Sequence, residues 1–347
     1  MRTFCCLLAF ALMSLSGAVF AQTAETPAAK QQLLWQKLEA EIAQTDRDLD
    51  GVMGVVVTDL TSGQQLLHNA DQVFPTASVI KLAVMAELYR QEEQGAAGEK
   101  ADAAGAASNV GAGKNASAGK YARLADLYTV RKEDLVPDSD VLGGLTPGVS
   151  QVTNRDLAAM MASVSDNSAA NVLIDRVGME NVNALLDSLG LKQTRLRRKM
   201  MDLEAARQGR ENVSTPREMA ALLEAIYRGK VLGKPLAQNS LTDDFFKLLS
   251  SGRGHYKAFF RAGGIPDDVV IAEKEGELEG VRADCGVVFV PGRPCVLCVM
   301  TSYLADERAG EAAISRVAGA AWRYVDRVGR ASPYGRIISP RNSGSRK

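Results

Sequence analysis

The chain divides into stretches with helical hydrophobic periodicity and shorter stretches of strand-like, β-branched residues. The helical spacing of apolar residues predicts helices over 31–45, 78–89, 154–163, 168–177, 179–188, 216–227, 243–249 and 310–328. Strand patterns are found over 52–60, 65–68, 269–272, 286–290 and 296–301. Strands therefore lie towards both ends of the chain, and helices fill its middle.

This order of elements predicts an α/β fold of the α+β type. Strands from both chain ends would form one antiparallel sheet flanked by helices, with an all-helical lobe inserted between them. The two lobes would meet at a cleft, and clefts of that kind commonly hold active sites. A single domain is expected over residues 31–328.

Three segments are predicted to lie outside the packed core. Residues 1–21 are typical of a secretory signal, with Arg2 before an apolar stretch and Val19-Phe20-Ala21 at the cleavage site. Residues 94–120 form a low-complexity insert, for which a disordered loop is predicted and a poorly packed Ala-rich helix is the alternative. Residues 332–347 are predicted to be a disordered basic tail.

Composition adds limits on partners and location. Of the 347 residues, 46% are hydrophobic and 24% are charged, and the formal net charge is +0. This balance is ordinary for a globular protein with a sizeable core and gives no indication of a nucleic-acid partner. After signal cleavage no stretch is apolar enough to serve as a membrane anchor, so we expect a periplasmic or secreted monomer without a cofactor.

The cysteines carry little chemistry in this interpretation. Of five, two lie in the predicted signal, and Cys285, Cys295 and Cys298 fall within or beside late strand patterns. A hairpin turn over 291–294 would place Cys285 diagonal to Cys298, which suits a disulfide poorly, so three buried thiols are expected. The two histidines of the chain stand far from this Cys-x-x-Cys pair, so no metal site is expected.

The first candidate for chemistry is Ser78-Val79-Ile80-Lys81, at the start of a predicted helix. Positions i and i+3 of a helix share a side, so Lys81 can reach the Ser78 hydroxyl. A helix N-terminus favours developing negative charge, and a buried lysine that loses its proton can serve as a base. The motif is short, and a second copy, Ser117-Ala118-Gly119-Lys120, is taken as a chance match because it lies in the low-complexity insert.

The second candidate is Ser165-Asp166-Asn167, which lies between two predicted helices. All three residue types cap helices well, so a simple helix N-cap is the structural alternative. The two interpretations are compatible, because a capping Asp166 would fix the loop that aims Ser165 and Asn167 into the cleft.

The third candidate is Lys274-Glu275-Gly276, which follows the strand pattern at 269–272. The glycine permits close approach of an acyl substrate that pairs with the strand backbone. An edge-strand charge pair that deters aggregation is the alternative.

A fourth candidate is the loop 196–204, which combines basic residues with the carboxylates of Asp202 and Glu204. A solvated charged loop is the alternative, although Met200-Met201 indicates that part of the loop is buried.

Together these motifs make the chain similar to the penicillin-recognising serine enzymes, and most closely to the class A β-lactamases. The resemblance runs over residues 34–328 and implies a β-lactamase/transpeptidase-like fold that acts on a β-lactam or a cell-wall peptide. It also covers the text around the motifs, namely Phe74-Pro75-Thr76-Ala77-Ser78, Ser165-Asp166-Asn167-Ser168-Ala169-Ala170-Asn171 and Glu211-Asn212-Val213-Ser214-Thr215-Pro216.

The resemblance implies a catalytic role for four of the matching residues. Ser78 would attack the substrate carbonyl, Lys81 would take or relay its proton, and Ser165 would pass a proton to the leaving nitrogen. The backbone N–H groups of Ser78 and Glu277 would form the oxyanion hole.

Four other residues would bind the substrate. Asn167 would contact the substrate amide, and Gly276 would allow its close approach. Lys274 would hold Ser165 and attract the substrate carboxylate, with Arg282 as a second carboxylate anchor.

The chain departs from the family at two positions. Glu275 stands where the family has threonine or serine, which adds negative charge near an anionic substrate. Met200 stands where the deacylation glutamate is expected, which leaves Asp202 or Glu204 as the candidate base for hydrolysis. Without a positioned base the acyl-enzyme would be hydrolysed slowly, because general base catalysis typically supplies about 10²–10⁴-fold.

Three functions stay open at this point. The first is an exported serine hydrolase of the class A β-lactamase type that is acylated at Ser78 and deacylated by water. The second is a penicillin-binding-type peptidase that acts on D-Ala-D-Ala peptides. The third is a non-catalytic relative that binds cell-wall peptide or a protein partner.

Overall fold

A computed structural model describes residues 27–106, 121–252 and 258–338. The predicted signal at 1–21 lies outside these residues, as do 107–120 of the insert and 339–347 of the tail. Among the helices of the described ranges, none has the length and hydropathy needed to cross a membrane.

The centre of the fold is an antiparallel sheet that both ends of the chain build, which confirms the predicted fold class. Two unpredicted strand pairs, each formed by very short strands, lie outside this sheet. In spatial order the central strands are β2 (Gln65–His68), β1 (Val52–Asp59), β9 (Cys295–Ser302), β8 (Val281–Phe289) and β7 (Val270–Leu278). The short pairs are β3 (Phe74–Pro75) with β6 (Val213–Ser214), and β4 (Leu127–Thr129) with β5 (Gln151–Thr153).

The predicted helices occur in the predicted order, and the bounds of three of them agree with the prediction at both ends. Those three are α3 (Asn154–Ser163), α5 (Met179–Ser188) and α7 (Pro216–Tyr227). The bounds of the other predicted helices differ at one or both ends; they are α1 (Pro27–Asp48), α2 (Lys81–Ala106), α4 (Asn167–Val177), α8 (Ser240–Ser250) and α10 (Glu307–Arg330). Two short helices were not predicted, α6 (Leu203–Arg207) and α9 (Ala258–Ala262).

Two segments are more ordered than the sequence predicted. Helix α2 continues to Ala106, so the first part of the 94–120 insert is helical rather than a loop. Alanine has the highest helix propensity, and this alanine-rich stretch extends a helix that tertiary packing has already nucleated. The tail after α10 begins with a turn, which is closed by a β-bridge between Ala331 and Ile337.

Alternate residues of the strands face two separate cores, because successive side chains of a strand point to opposite faces. In β9, Cys298 and Met300 pack on the side of the helical lobe, where α2, α4 and α7 lie. Leu297 and Val299 pack on the other side, against α1 and α10. The sheet therefore separates the helical lobe from a terminal helix layer, and the cleft opens on the side of the lobe.

The prediction of three buried thiols is wrong for two of them. All three cysteines are buried, but Cys285 and Cys298 form a disulfide, and Cys295 alone is free. The β8–β9 connection is longer than the predicted four-residue turn, since Val288 rather than a later residue pairs with Cys295. This register places Cys285 directly opposite Cys298 instead of diagonal to it.

Candidate active site

A cleft of about 220 Å³ lies between β7 and the helical lobe. It brings together residues from all three predicted motifs. Its lining residues are Ser78, Asp138, Asp140, Val164, Ser165, Asn167, Glu275 and Glu277.

Ser78 enters the cleft from a short 3₁₀ turn rather than from the α-helix itself. The turn covers Ala77–Ile80, and Lys81 is the first residue of α2. Side chains at i and i+3 eclipse in a 3₁₀ turn, so the predicted shared side of Ser78 and Lys81 is preserved.

Gly276 lets β7 come close to this turn. A β-carbon at position 276 would lie 2.7 Å from the Thr76 carbonyl oxygen and 3.0 Å from the Ala77 β-carbon. Any larger residue would push the strand away, so the glycine permits the close approach of β7 to the turn; the predicted close approach of a substrate stays a prediction. The approach brings Glu277, the next residue of β7, to the cleft together with Ser78.

Asp166 holds the second motif in place in the way the sequence predicts. Its carboxylate accepts a hydrogen bond from the Ala169 N–H at 2.9 Å and so caps α4. The other oxygen accepts from the N–H groups of Val141 and Leu142, at 3.1 and 2.9 Å. Asp166 is fully buried, so it fixes the loop from which the flanking Ser165 and Asn167 reach the cleft.

Lys81 lies beneath the cleft and joins the first two motifs. Its side chain is only 1% exposed. Its Nζ contacts the Ser165 carbonyl oxygen at 2.5 Å, Asn167 Oδ1 at 2.8 Å and Ser165 Oγ at 3.1 Å. A neutral amine has two N–H donors and one lone pair. The carbonyl and amide oxygens can take both donors, which leaves the lone pair available to a hydroxyl.

The electrostatic surroundings favour this neutral form. Burial, and next the charge of Lys274, hold the pKa of the Lys81 ammonium well below its ordinary value. The carboxylates of Glu275, Asp166 and Asp138 oppose the shift without cancelling it. A lysine whose pKa is depressed by burial and a nearby positive charge is more readily neutral and can then accept a proton.

Three non-glycine residues at or beside the cleft have left-handed backbone conformations. Ala77, immediately before Ser78, has a φ of 46°, Asp138 has a φ of 54° and Ser165 has a φ of 60°. Such conformations cost free energy for residues with a β-carbon, and they concentrate where surrounding structure holds a functional group in place. Here each one lies at or beside a residue whose side chain faces the cleft.

The third motif differs from its expected arrangement. Lys274 does not hold Ser165; its Nζ donates to Glu275 Oε1 at 2.8 Å and to the Glu275 carbonyl oxygen at 3.0 Å. Both side chains are buried. Glu275, which departs from the family pattern, therefore neutralises Lys274, the cation that was expected to attract a substrate carboxylate.

Arg282 is also engaged elsewhere. Its guanidinium forms an ion pair with Glu311 of α10 at 2.9 Å and donates to the Leu278 and Val281 carbonyl oxygens. It is not among the residues that line the cleft. The predicted role as a second carboxylate anchor therefore has no support in this geometry.

Asp202 and Glu204 are not brought to Ser78. The Asp202 carboxylate accepts from the Ala205 N–H and caps α6. Glu204 is exposed and accepts from Gln208. Neither lines the cleft, so the expectation that one of them lies near Ser78 is corrected.

Position 200 is held against α4, the helix that begins at Asn167. The Asn171 side chain accepts from the Met200 N–H at 2.7 Å and donates to the Met200 carbonyl oxygen at 3.1 Å. Asn171 follows Asn167 by one helical turn of α4, so the two amides share a face of that helix. Met200 is 7% exposed and is clamped one turn below a residue of the cleft.

Comparison with known proteins decides the family. A family model described as "Beta-lactamase enzyme family" matches residues 34–100 and 109–325, which is most of the chain. The chain belongs to the β-lactamase enzyme family. The resemblance inferred from the motifs is thereby confirmed.

The relatives of this family member are distant. A β-lactamase of Streptomyces albus G is 29% identical over 280 residues, covering 78% of this chain and 79% of that protein. The crystal structure of a β-lactamase from Sphaerobacter thermophilus DSM 20745 is 27% identical, with a TM-score of 0.65 over 84% of this chain and 97% of that chain. PBP-A, at 24% identity and a TM-score of 0.66 over 83% of this chain and 95% of that chain, shows the fold alone.

Sequence reasoning missed two acidic residues of the cleft in this family member. Asp138 and Asp140 line it from the connection between β4 and β5, and both are exposed. The Asp138 carbonyl oxygen accepts from the Asn167 N–H at 3.2 Å, which fixes this loop against the second motif. The stretch Pro137-Asp138-Ser139-Asp140 has turn composition, but composition does not show which side of the fold a turn occupies.

Proposed function

We propose that the protein is an exported serine hydrolase that is acylated at Ser78 by a β-lactam or a related cyclic or peptidic amide and is deacylated by water. One observation carries the proposal. Lys81 is buried, its pKa is depressed, and it contacts Ser165 and Asn167 beneath a cleft that Ser78 lines. Nucleophile, base and a second hydroxyl thus converge at one cleft.

The chemistry follows from these contacts. The Ser78 Oγ forms a bond with the substrate carbonyl carbon, and the hydroxyl proton passes to the Lys81 lone pair. The C–N bond of the amide then breaks, and Ser165 delivers its proton to the leaving nitrogen and takes the proton held by Lys81, which it contacts at 3.1 Å. Water next adds to the ester carbonyl, which releases the acid and restores the Ser78 hydroxyl. Backbone N–H groups of Ser78 and Glu277 would stabilise the oxyanion.

Export is part of the proposal. Residues 1–21 are typical of a secretory signal, and the Cys285–Cys298 disulfide supports the same location. Structural disulfides persist in oxidising compartments such as the periplasm and are rare in the cytosol.

The direct test is the mass of the protein after reaction with benzylpenicillin and, separately, with its neutral methyl ester. We expect a covalent adduct with at least one of them, located by peptide mapping on Ser78. The absence of an adduct with either compound at millimolar concentration, in a folded sample, would refute the proposal.

The acylation rate should depend on pH in one direction. Because Lys81 acts as a neutral base, acylation is expected to slow as pH falls through its depressed pKa and to level off above it. The measurement is the pH profile of adduct formation under single-turnover conditions. Lys274→Met removes a nearby positive charge that lowers the Lys81 pKa, so the profile should move to higher pH. A profile that does not move would contradict the assignment of this limb to Lys81.

A second function, a penicillin-binding-type peptidase acting on D-Ala-D-Ala peptides, is favoured by one observation. Met200 supplies no base at the clamped position beside the cleft. Adducts that persist for hours, together with release of D-alanine from such a peptide, would favour the peptidase. Adducts that hydrolyse within seconds would favour the β-lactamase.

A further inference from the structure

The charged side chains that line the cleft are all acidic. They come from two parts of the chain: Asp138 and Asp140 from the connection between β4 and β5, and Glu275 and Glu277 from β7. No lysine or arginine is among the lining residues that the structure describes. The cleft therefore presents a negative potential to an incoming substrate.

The nearby cations do not offset this potential. The Lys274 ammonium forms an ion pair with the Glu275 carboxylate at 2.8 Å. The two side chains are 1% and 3% exposed. The Arg282 guanidinium is paired with Glu311. Lys81 is held towards its neutral form. A substrate carboxylate would meet carboxylates here without a free cation.

Glu275 also has an acceptor left over. Its Oε1 takes the Lys274 ammonium, whereas its buried Oε2 accepts no hydrogen bond from any residue that the structure describes. A buried acceptor without a partner is unfavourable, and a donor from a ligand would relieve it. Glu275 lines the cleft, but its Oε2 is closed from solvent, so only a ligand N–H group that inserts beside this carboxylate would supply the missing partner.

We propose that the cleft selects acyl donors that carry a positive charge, such as an ammonium or guanidinium group near the scissile bond, over donors that carry a carboxylate. The proposal rests on the proposed acylation of Ser78 and names the substrate class of that same site. Glu275 and Glu277 of β7, together with Asp138, are the specificity-determining residues.

The test uses three thioesters that share one neutral acyl group. They differ only in the group at the end of the leaving thiol: an ammonium in the first, a carboxamide in the second and a carboxylate in the third. The protein attacks the thioester carbonyl through Ser78, and the released thiol is followed by a colour reagent. We expect kcat/KM to fall in the order ammonium, carboxamide, carboxylate, with a ratio of about 10–10³ between the first and the last at low salt. Added salt should shrink this ratio.

Variants locate the source of the preference. Glu277→Gln and Asp138→Asn should each reduce the ratio. Glu275→Thr should reverse the order, because it frees the Lys274 ammonium for the carboxylate. Asp267→Asn removes a negative charge from an exposed position that is not part of the cleft lining, and the ratio should not change.

The outcomes separate two failures. Equal rates, a faster carboxylate thioester, or a preference that survives all three cleft variants would overturn the charge selection while Ser78 acylation stands. If no thioester acylates Ser78 and no β-lactam does so either, the proposed function fails and the charge selection fails with it. The comparison of the three probes on the unaltered protein needs no variant to fold.

Discussion

Ser78→Ala is expected to abolish acylation, with a loss of at least about 10³-fold in the rate of adduct formation. That loss corresponds to about 4 kcal/mol of transition-state stabilisation. The reason is that the hydroxyl of Ser78 is the only atom of the residue that can form the covalent bond, and alanine keeps the backbone N–H of the proposed oxyanion hole. Ser78 is partly exposed in its turn, so the change should leave the fold intact.

The chain supplies a matched control for this experiment. Ser117 begins the second Ser-x-x-Lys match, so Ser117→Ala removes the same hydroxyl from the same short motif. We expect Ser117→Ala to acylate at the unaltered rate. A Ser78→Ala protein that still forms the adduct would show that another nucleophile reacts, and the assignment of Ser78 would be wrong. Circular dichroism and thermal unfolding establish that both variants are folded.

The features that the sequence predicted are those that local chemistry decides. Thr153 caps α3 with a reciprocal capping box, and Asp166 caps α4 as predicted, so both helices begin at their predicted first residue or within a residue of it. The close packing of Gly276 on the turn before Ser78, in contrast, was not predicted. The antiparallel sheet follows from strand patterns at both chain ends.

The features that the sequence did not predict depend on lengths and long-range contacts. The Cys285–Cys298 disulfide required the register of β8 and β9, which the length of the intervening loop sets. The clamp of Asn171 on Met200 joins residues 29 positions apart. The charge pair of Lys274 and Glu275 was an alternative that the sequence left open, but its burial depends on the packing around β7.

The burial of Glu275 and the clamp on Met200 change what the departures from the family mean. Glu275 is not a stray charge on an edge strand, because it is buried and paired with Lys274. Met200 is not displaced from its site by a rearranged loop, because the clamp holds its backbone beside α4. The departures from the family therefore concern the side chains of Glu275 and Met200 and not the position of the backbone. A single substitution at position 200 can test whether the missing base limits deacylation.

Met200→Glu is expected to raise the deacylation rate by about 10²-fold, at the lower end of what general base catalysis supplies. The clamp from Asn171 uses only the backbone of residue 200, so the substitution should keep the loop in position. The measurement is the rate at which a preformed Ser78 adduct disappears, followed by mass spectrometry. Met200 is 7% exposed, so the buried carboxyl should lower the free energy of unfolding by about 1–3 kcal/mol.

Two controls isolate the base from other effects of this change. Glutamine has nearly the same shape as glutamate but carries no carboxylate that could act as a base. The deacylation rate of Met200→Gln should therefore equal that of the unaltered protein. Met201→Glu places the same carboxylate one residue further on, where the backbone φ is 63° and the side chain takes a different direction. If Met200→Glu deacylates no faster than these two, residue 200 does not reach the hydrolytic water, and the slow step has another cause. Because burial raises the pKa of a carboxyl group, the gain from Met200→Glu should appear above the pKa of the new side chain and vanish below it.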